Sequence, residues 1–219
     1  MNNLIKRIAT SFLLLFILST SFIINKYLFL ILLIACSFIS FSEFNNLIKK
    51  IFKKKKQIVF NIQIFCILFF ILFIYTSYEI YIQSPIFLIW IILICIFSDT
   101  GGFIIGKLIG GKKLTIISPN KTIAGSIGSF IFSLFPLILI LFMKEFRFND
   151  DIDLINLVLI SLLLSLICQL GDLFVSYFKR KAKVKDTGDI LPGHGGLLDR
   201  IDGLIFVLPS AFIVDKIFY

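Results

Sequence analysis

The feature that most constrains this chain is a series of long apolar runs separated by short polar stretches. Seven runs can be marked, at about 8–24, 27–44, 57–74, 82–98, 123–142, 154–175 and 203–218. Each approaches the roughly 20 residues that a tilted helix needs to cross a bilayer core. The expected fold is therefore all-α: a polytopic integral membrane helical bundle of about seven transmembrane helices, forming a single membrane domain over 1–219. Residues 1–75 would supply N-terminal helices and a basic loop. Residues 82–219 would supply the remaining helices, with polar loops at 99–122 and 176–202. The run 101–111 is apolar but too short to span, and it is rich in glycine, so it reads as a re-entrant or interfacial segment. Composition excludes an ordinary soluble domain. The chain is 58% hydrophobic, with 27 phenylalanines and a mean hydropathy of +1.02, where a soluble domain is about half apolar.

The formal charge is +9. In this setting it reads as topology and contact with anionic headgroups, not as nucleic-acid binding. With the N-terminus inside, 18 of the 22 lysines and arginines fall on one side: Lys6 and Arg7, six lysines in 49–56, four lysines in 107–121 and six basic residues in 179–200. Lys26, Lys144, Arg147 and Lys216 fall on the other. The positive-inside rule then puts both polar loops in the cytosol, as in a multi-pass protein of a bacterial-type inner membrane. The first run follows Lys6-Arg7 as in a signal peptide. It lacks a small-x-small cleavage site, so it is expected to stay as the first helix. Cys36, Cys66, Cys95 and Cys168 sit within apolar runs without metal-ligand spacing and read as small buried residues.

Polar chemistry concentrates in the two loops, and each begins at a carboxylate near a helix end. Asp172 closes the sixth run after Gln169 and Gly171. Asp199 and Asp202, spaced i, i+3, share one face at the start of the seventh. A carboxylate near the hydrocarbon boundary is costly unless paired or bound to a cation. Three hard oxygen donors from two helix ends suit Mg²⁺. The alternative is that Asp199 and Asp202 cap the last helix and Asp172 pairs with Arg200. Between them, Lys179, Arg180, Lys181, Lys183 and Lys185 are placed to hold phosphates. Pro192-Gly-His-Gly-Gly196 would let backbone N–H groups approach an anion, with His194 donating to a phosphate, transferring a proton or simply solvated. In the other loop, Asp99-Thr100 ends the fourth run. Ser118, Lys121 and Thr122 beside the next helix start form a phosphate cradle without Walker spacing. Gly102, Gly106 and Gly110, spaced by four, suit close helix packing. Together these features suit a protein that handles a phosphorylated lipid and a soluble polyphosphate at the cytosolic interface.

Over Ser176–Asp202 the pattern Ser176-x-x-Lys179-Arg180-x4-Lys185-Asp186-x-Gly188-x2-Leu191-Pro192-x-His194-Gly195-Gly196-x2-Asp199-Arg200-x-Asp202 resembles the signature of the phosphatidate cytidylyltransferases, or CDP-diacylglycerol synthases. Gln169-Leu-Gly-Asp172, Asp99-Thr100-Gly101 with Gly106, and Ser118-Pro-x-Lys121-Thr122 also match that family, and Glu43-Phe44 is similar to a weaker feature of it. The family's alanine and aromatic after Asp-Thr-Gly are replaced by Gly102 and Phe103. The second lysine and glutamate of its serine–proline motif are replaced by Asn120 and Ala124. The resemblance implies CMP transfer from CTP to phosphatidate, giving CDP-diacylglycerol and pyrophosphate. It implies catalytic roles for Asp172, Lys179, Arg180, Lys185, Asp186, His194, Asp199, Arg200 and Asp202. Substrate binding would fall to Asp99, Ser118, Lys121, Thr122, Gly195 and Gly196. Asp172, Asp199 and Asp202 would hold Mg²⁺, with room for a second cation. The expected partners are CTP, phosphatidate, membrane lipids and a second copy in a homodimer, with no nucleic acid. Alternatives are a related CTP-dependent cytidylyltransferase or kinase of a polyprenyl-type lipid, or a non-enzymatic lipid transporter. The phosphatidyltransferases that consume CDP-diacylglycerol do not fit, because the DGxxAR…GxxxD motif is missing.

Overall fold

A computed structural model describes residues 3–142 and 153–218; Lys144 and Arg147 of the charge argument lie outside them. The described residues are all helical apart from loops and two isolated bridges. In chain order the helices are α1 (Asn3–Ile24), α2 (Lys26–Ile51), α3 (Lys56–Gln83), α4 (Pro85–Ile109), α5 (Ile123–Phe132), α6 (Phe135–Phe142), α7 (Leu154–Lys181), α8 (Leu198–Ile201) and α9 (Leu204–Phe218).

Four of them, α2, α3, α4 and α7, are long and apolar enough to cross a membrane, and the chain is a multi-pass membrane protein. The other three expected spans are shorter. The apolar part of α1 is Ile8–Ile24, and α9 has 15 residues with Pro209 inside it. The expected span 123–142 is broken between α5 and α6. Pro136 is the cause: it has no N–H to give to the carbonyl four residues back, and its ring crowds that carbonyl. The chain therefore turns at Ser133-Leu134 and restarts. The long helices overrun the apolar runs that mark them. α2 continues into Lys49-Lys50 and α7 into Lys179-Arg180-Lys181, because lysine and arginine are good helix formers once the backbone is nucleated.

The glycine-rich segment is not re-entrant. Residues 101–109 are the last turns of α4. A run too short to span by itself simply extends the span before it.

The chain divides into two compact units, Met1–Ile82 with Phe178–Ile201, and Gln83–Tyr177 with Asp202–Tyr219. The polar segment after α7 thus groups with the N-terminal helices. In the first unit, Asn25 caps α2 by accepting from the Tyr27 N–H at 3.0 Å. Tyr81 donates to the Phe22 carbonyl at 2.8 Å, and the Gln63 amide donates to Asn45 at 2.8 Å. Such polar ties join helices where apolar surface alone gives no drive to associate in lipid. Phe29, Leu33, Phe44, Leu47 and Ile48 bury one side of α2, and Phe44 meets Phe178 edge to face at 5.0 Å.

In the second unit, Ser84 caps α4 and Pro85 opens it, a favoured pairing at a helix start. α4 then packs along α5 through small residues. A Cβ on Gly128 would lie 2.5 Å from the Ile105 Cβ and 2.8 Å from the Gly101 carbonyl oxygen. One on Gly102 would meet the Ser129 hydroxyl at 2.5 Å, and one on Gly106 the Thr122 hydroxyl at 3.1 Å. The spacing of Gly102 and Gly106 is therefore a packing stripe. Gly110 is not part of it: it ends α4 with φ +65 and has open space around it.

Candidate functional site

In the second unit a cavity of about 310 Å³ opens where the end of α4 faces the start of α5 and the polar end of α7. Asp99, Ser118, Lys121, Thr122, Gln169 and Asp172 are among its lining residues. Local chemistry builds each wall. The loop before α5 closes on itself through Leu114 N–H to the Lys121 carbonyl at 2.9 Å and Ile123 N–H to the Lys112 carbonyl at 3.0 Å. That pairing aims Lys121 across the cavity. Thr122 caps α5 by accepting from the Gly125 N–H at 3.0 Å, which leaves its hydroxyl hydrogen free to donate. Lys121 forms an ion pair with Asp172, and Asp172 also accepts from Ser176 at 3.2 Å. Ser126 donates to Gln169 at 2.6 Å. Asn120 lines the same cavity.

Asp202 belongs to this unit too. A Cβ on Gly171 would sit 2.8 Å from the Asp202 carbonyl oxygen and 3.1 Å from the Gly203 Cα. A Cβ on Gly203 would meet the Cys168 sulfur at 2.5 Å. Two glycines therefore let the start of α9 cross α7 backbone to backbone, beside the residue that carries Asp172. The Asp202 carboxylate accepts from the Gly203 N–H at 2.8 Å.

In the first unit the segment 182–198 folds around Asp199. One oxygen of Asp199 is paired with Lys179 at 2.7 Å, both side chains being largely buried. The other accepts from the Thr187 N–H at 2.8 Å and the Gly196 N–H at 3.1 Å, and lies 3.0 Å from the Thr187 hydroxyl oxygen. Arg200 donates to the His194 carbonyl at 2.7 Å. Nδ1 of His194 lies 2.6 Å from the Thr10 hydroxyl of α1, so the lone histidine is held by a helix and is not merely solvated. Lys185, Asp186, Asp189, His194, Gly195 and Arg200 line a cavity of about 510 Å³. Arg180 stands on the last turn of α7.

One expectation changes: three N–H groups of the Pro192–Gly196 stretch are already bonded within the protein. Those of His194 and Gly195 go to the Leu191 carbonyl at 2.9 and 3.1 Å, and that of Gly196 goes to Asp199. The glycines serve turn geometry, with φ +80 at Gly193 and +84 at Gly195, and close packing at Gly196. Among the described residues no group of three or more His, Cys, Asp or Glu is placed to share an ion. Both oxygens of Asp199 are already engaged. Asp172 and Asp202 are hard oxygen donors in one unit, Asp172 engaged by Lys121 and Ser176 and Asp202 by the Gly203 N–H. Carboxylates are the donor chemistry Mg²⁺ takes, one or two at a time, with its other ligands drawn from phosphate and water. The sequence reading missed the Lys121–Asp172 pair and the parts played by Thr187 and Thr10. The first joins loops about 50 positions apart. The other two are hydroxyls whose roles depend on what they face.

The chain thus sets a carboxylate–ammonium pair and hydroxyl groups at the ends of apolar helices. Residues 64–218, well over half the chain, match the cytidylyltransferase family, and the chain belongs to it. Among its relatives are proteins named phosphatidate cytidylyltransferase. That of Staphylococcus haemolyticus (strain JCSC1435) is 48% identical over 124 residues, 56% of this chain and 46% of the relative. That of Staphylococcus saprophyticus subsp. saprophyticus is 45% identical over 134 residues, 60% of this chain and 50% of the relative. That of Staphylococcus aureus (strain COL) is 46% identical over 133 residues, 60% and 50% of the two chains. The chain spans about half the length of the curated relatives it matches.

Proposed function

We propose that this protein is a phosphatidate cytidylyltransferase: it transfers CMP from CTP to phosphatidate, giving CDP-diacylglycerol and pyrophosphate. The observation that carries the reading is the Lys121–Asp172 pair in a cavity that also holds Asp99, Ser118 and Thr122, in a chain similar to enzymes of that name. An oxygen of the lipid phosphate forms a bond to the α-phosphorus of CTP, and the bond from that phosphorus to the β-bridging oxygen breaks. Phosphatidate is already ionised at neutral pH, so no strong general base is needed. The work left to the protein is positioning and charge neutralisation.

Ser118, Lys121 and Thr122 bind phosphate oxygens. In the other polar segment Arg180, Lys185 and Arg200 are positive charges suited to phosphate, and Lys179 holds Asp199 there. Asp186 and His194 line the substrate side of that segment, His194 as a donor. Asp172 and Asp202 would hold Mg²⁺. Bound there, Mg²⁺ would neutralise charge developing on the reacting phosphates. The site faces the cytosolic leaflet of a bacterial inner membrane, and the working form is a homodimer.

The test is pyrophosphate release by purified protein given phosphatidate and each of the four nucleoside triphosphates, with and without Mg²⁺. CTP- and phosphatidate-dependent release is expected. Release of CDP would indicate a lipid kinase, and no turnover with any nucleotide would reject the reading.

A further inference from the structure

We infer that Glu43, on the membrane helix α2, is a positioning residue that sets the shape of the polar segment between α7 and α8. Glu43 is 4% exposed, yet its carboxylate lacks no partner. Oε1 accepts from the Leu197 N–H at 3.0 Å. Oε2 accepts from the Leu198 N–H at 2.9 Å and the Thr187 hydroxyl at 2.8 Å. Every donor comes from the polar segment, 144 to 155 positions away in sequence.

The segment is shaped to receive this side chain. A Cβ on Gly188 would stand 2.7 Å from Oε1, and one on Gly196 would stand 2.5 Å from Oε2 and would also strike the Thr187 hydroxyl. Two glycines thus leave room for the Glu43 carboxylate between them. Thr187 extends the linkage, since its hydroxyl lies between Glu43 Oε2 and Asp199 Oδ2. Asp199 in turn holds Lys179. A buried carboxylate is tolerated only when hydrogen-bonded, and hydrogen bonds to a charged acceptor are the stronger kind. Removing the acceptor would leave two backbone N–H groups buried without a partner, which costs more than the bonds contribute when made. The chain Glu43–Thr187–Asp199–Lys179 therefore ties a membrane helix to the segment that carries Lys185, His194 and Arg200. Its part in turnover rests on the proposed function; its hold on the segment does not.

The test uses the full chain in detergent with two substitutions. Glu43→Met fills the space with no acceptor, and Glu43→Gln keeps part of the acceptor set. Hydrogen exchange is followed by mass spectrometry over 186–199 and, as an internal control, over 112–125. Glu43→Met should speed exchange at 186–199 by roughly tenfold or more and leave 112–125 unchanged, with Glu43→Gln in between. Pyrophosphate release from CTP and phosphatidate should fall in the same order, so that Glu43→Gln recovers rate in step with protection. Wild-type exchange at 186–199 in Glu43→Met overturns the inference. If that variant does not fold, wild-type exchange in Glu43→Gln overturns it instead. A loosened segment with an unchanged rate overturns the positioning role alone. If the wild type releases no pyrophosphate, the proposed function fails, and the exchange measurements still decide whether Glu43 holds the segment.

Discussion

Replacing Gly128 with alanine tests whether the cavity of the second unit depends on the α4–α5 contact. The added methyl would lie 2.5 Å from the Ile105 Cβ, 2.7 Å from its Cγ1 and 2.8 Å from the Gly101 carbonyl oxygen. Ordinary contact begins near 3.4 Å, so the shortfall against the backbone oxygen is about 0.6 Å (3.4 − 2.8). No rotamer change relieves it, because a Cβ and a carbonyl oxygen are fixed to the backbone. The helices must part by a comparable amount. A gap of 0.5–1 Å forfeits roughly a quarter to a half of the dispersion well for each atom pair along the contact. Overpacking of this kind typically costs about 1–3 kcal/mol. For a chain of this size, that corresponds to a fall in Tm of about 2–4 °C per kcal/mol. Thermal unfolding in detergent should therefore show Gly128→Ala melting several degrees below the wild type. Ile127→Ala is the control, since Ile127 is 55% exposed and points away from the contact. Turnover should fall more than stability, because α4 carries Asp99 and α5 begins at Thr122 on opposite walls. A Gly128→Ala protein melting within 1 °C of the wild type would refute the claim that α4 and α5 meet through their glycines.

The site itself makes further predictions. Lys121→Gln should lower CTP-dependent pyrophosphate release at least tenfold, while stability shifts by no more than about 1 kcal/mol because the pair is partly exposed; equal losses of both would make the pair structural. Asp199→Asn weakens the pairing with Lys179 and should make the bonds after Lys181, Lys183 and Lys185 more sensitive to trypsin in detergent, read by the cleavage rate. Chelation by EDTA should abolish pyrophosphate release, and added Mg²⁺ should restore it; activity that persists in EDTA would remove the metal from the reaction.

Much of the fold could be read from the sequence, because hydrocarbon length and backbone hydrogen bonding are local demands. Runs 27–44, 57–74, 82–98 and 154–175 became α2, α3, α4 and α7 for that reason. The run 123–142 did not become one helix, since a single proline outweighs apolar composition. The run 101–111 reads as separate from its short length and its glycines, although helix continuation from Ser98 needs nothing beyond good backbone geometry. Gly102 and Gly106 were recognised as packing residues from their spacing, while Gly101 and Gly128, which make closer backbone contacts, carry no spacing signal that sets them apart.

The amino-acid order by itself determined that this chain is helical, lives in a membrane, and gathers its carboxylates, lysines and hydroxyls into two polar segments. Those are properties of neighbours in sequence: apolar length, turn residues and charge bias. Only the tertiary structure decided which charges meet. Asp172 pairs with Lys121 and Asp199 with Lys179, and a glutamate from the second helix fills the notch between Gly188 and Gly196. Such pairings are set by how helices cross and which small residues let them approach. A carboxylate's partner is chosen by distance in space, and one sequence carries no direct record of that distance.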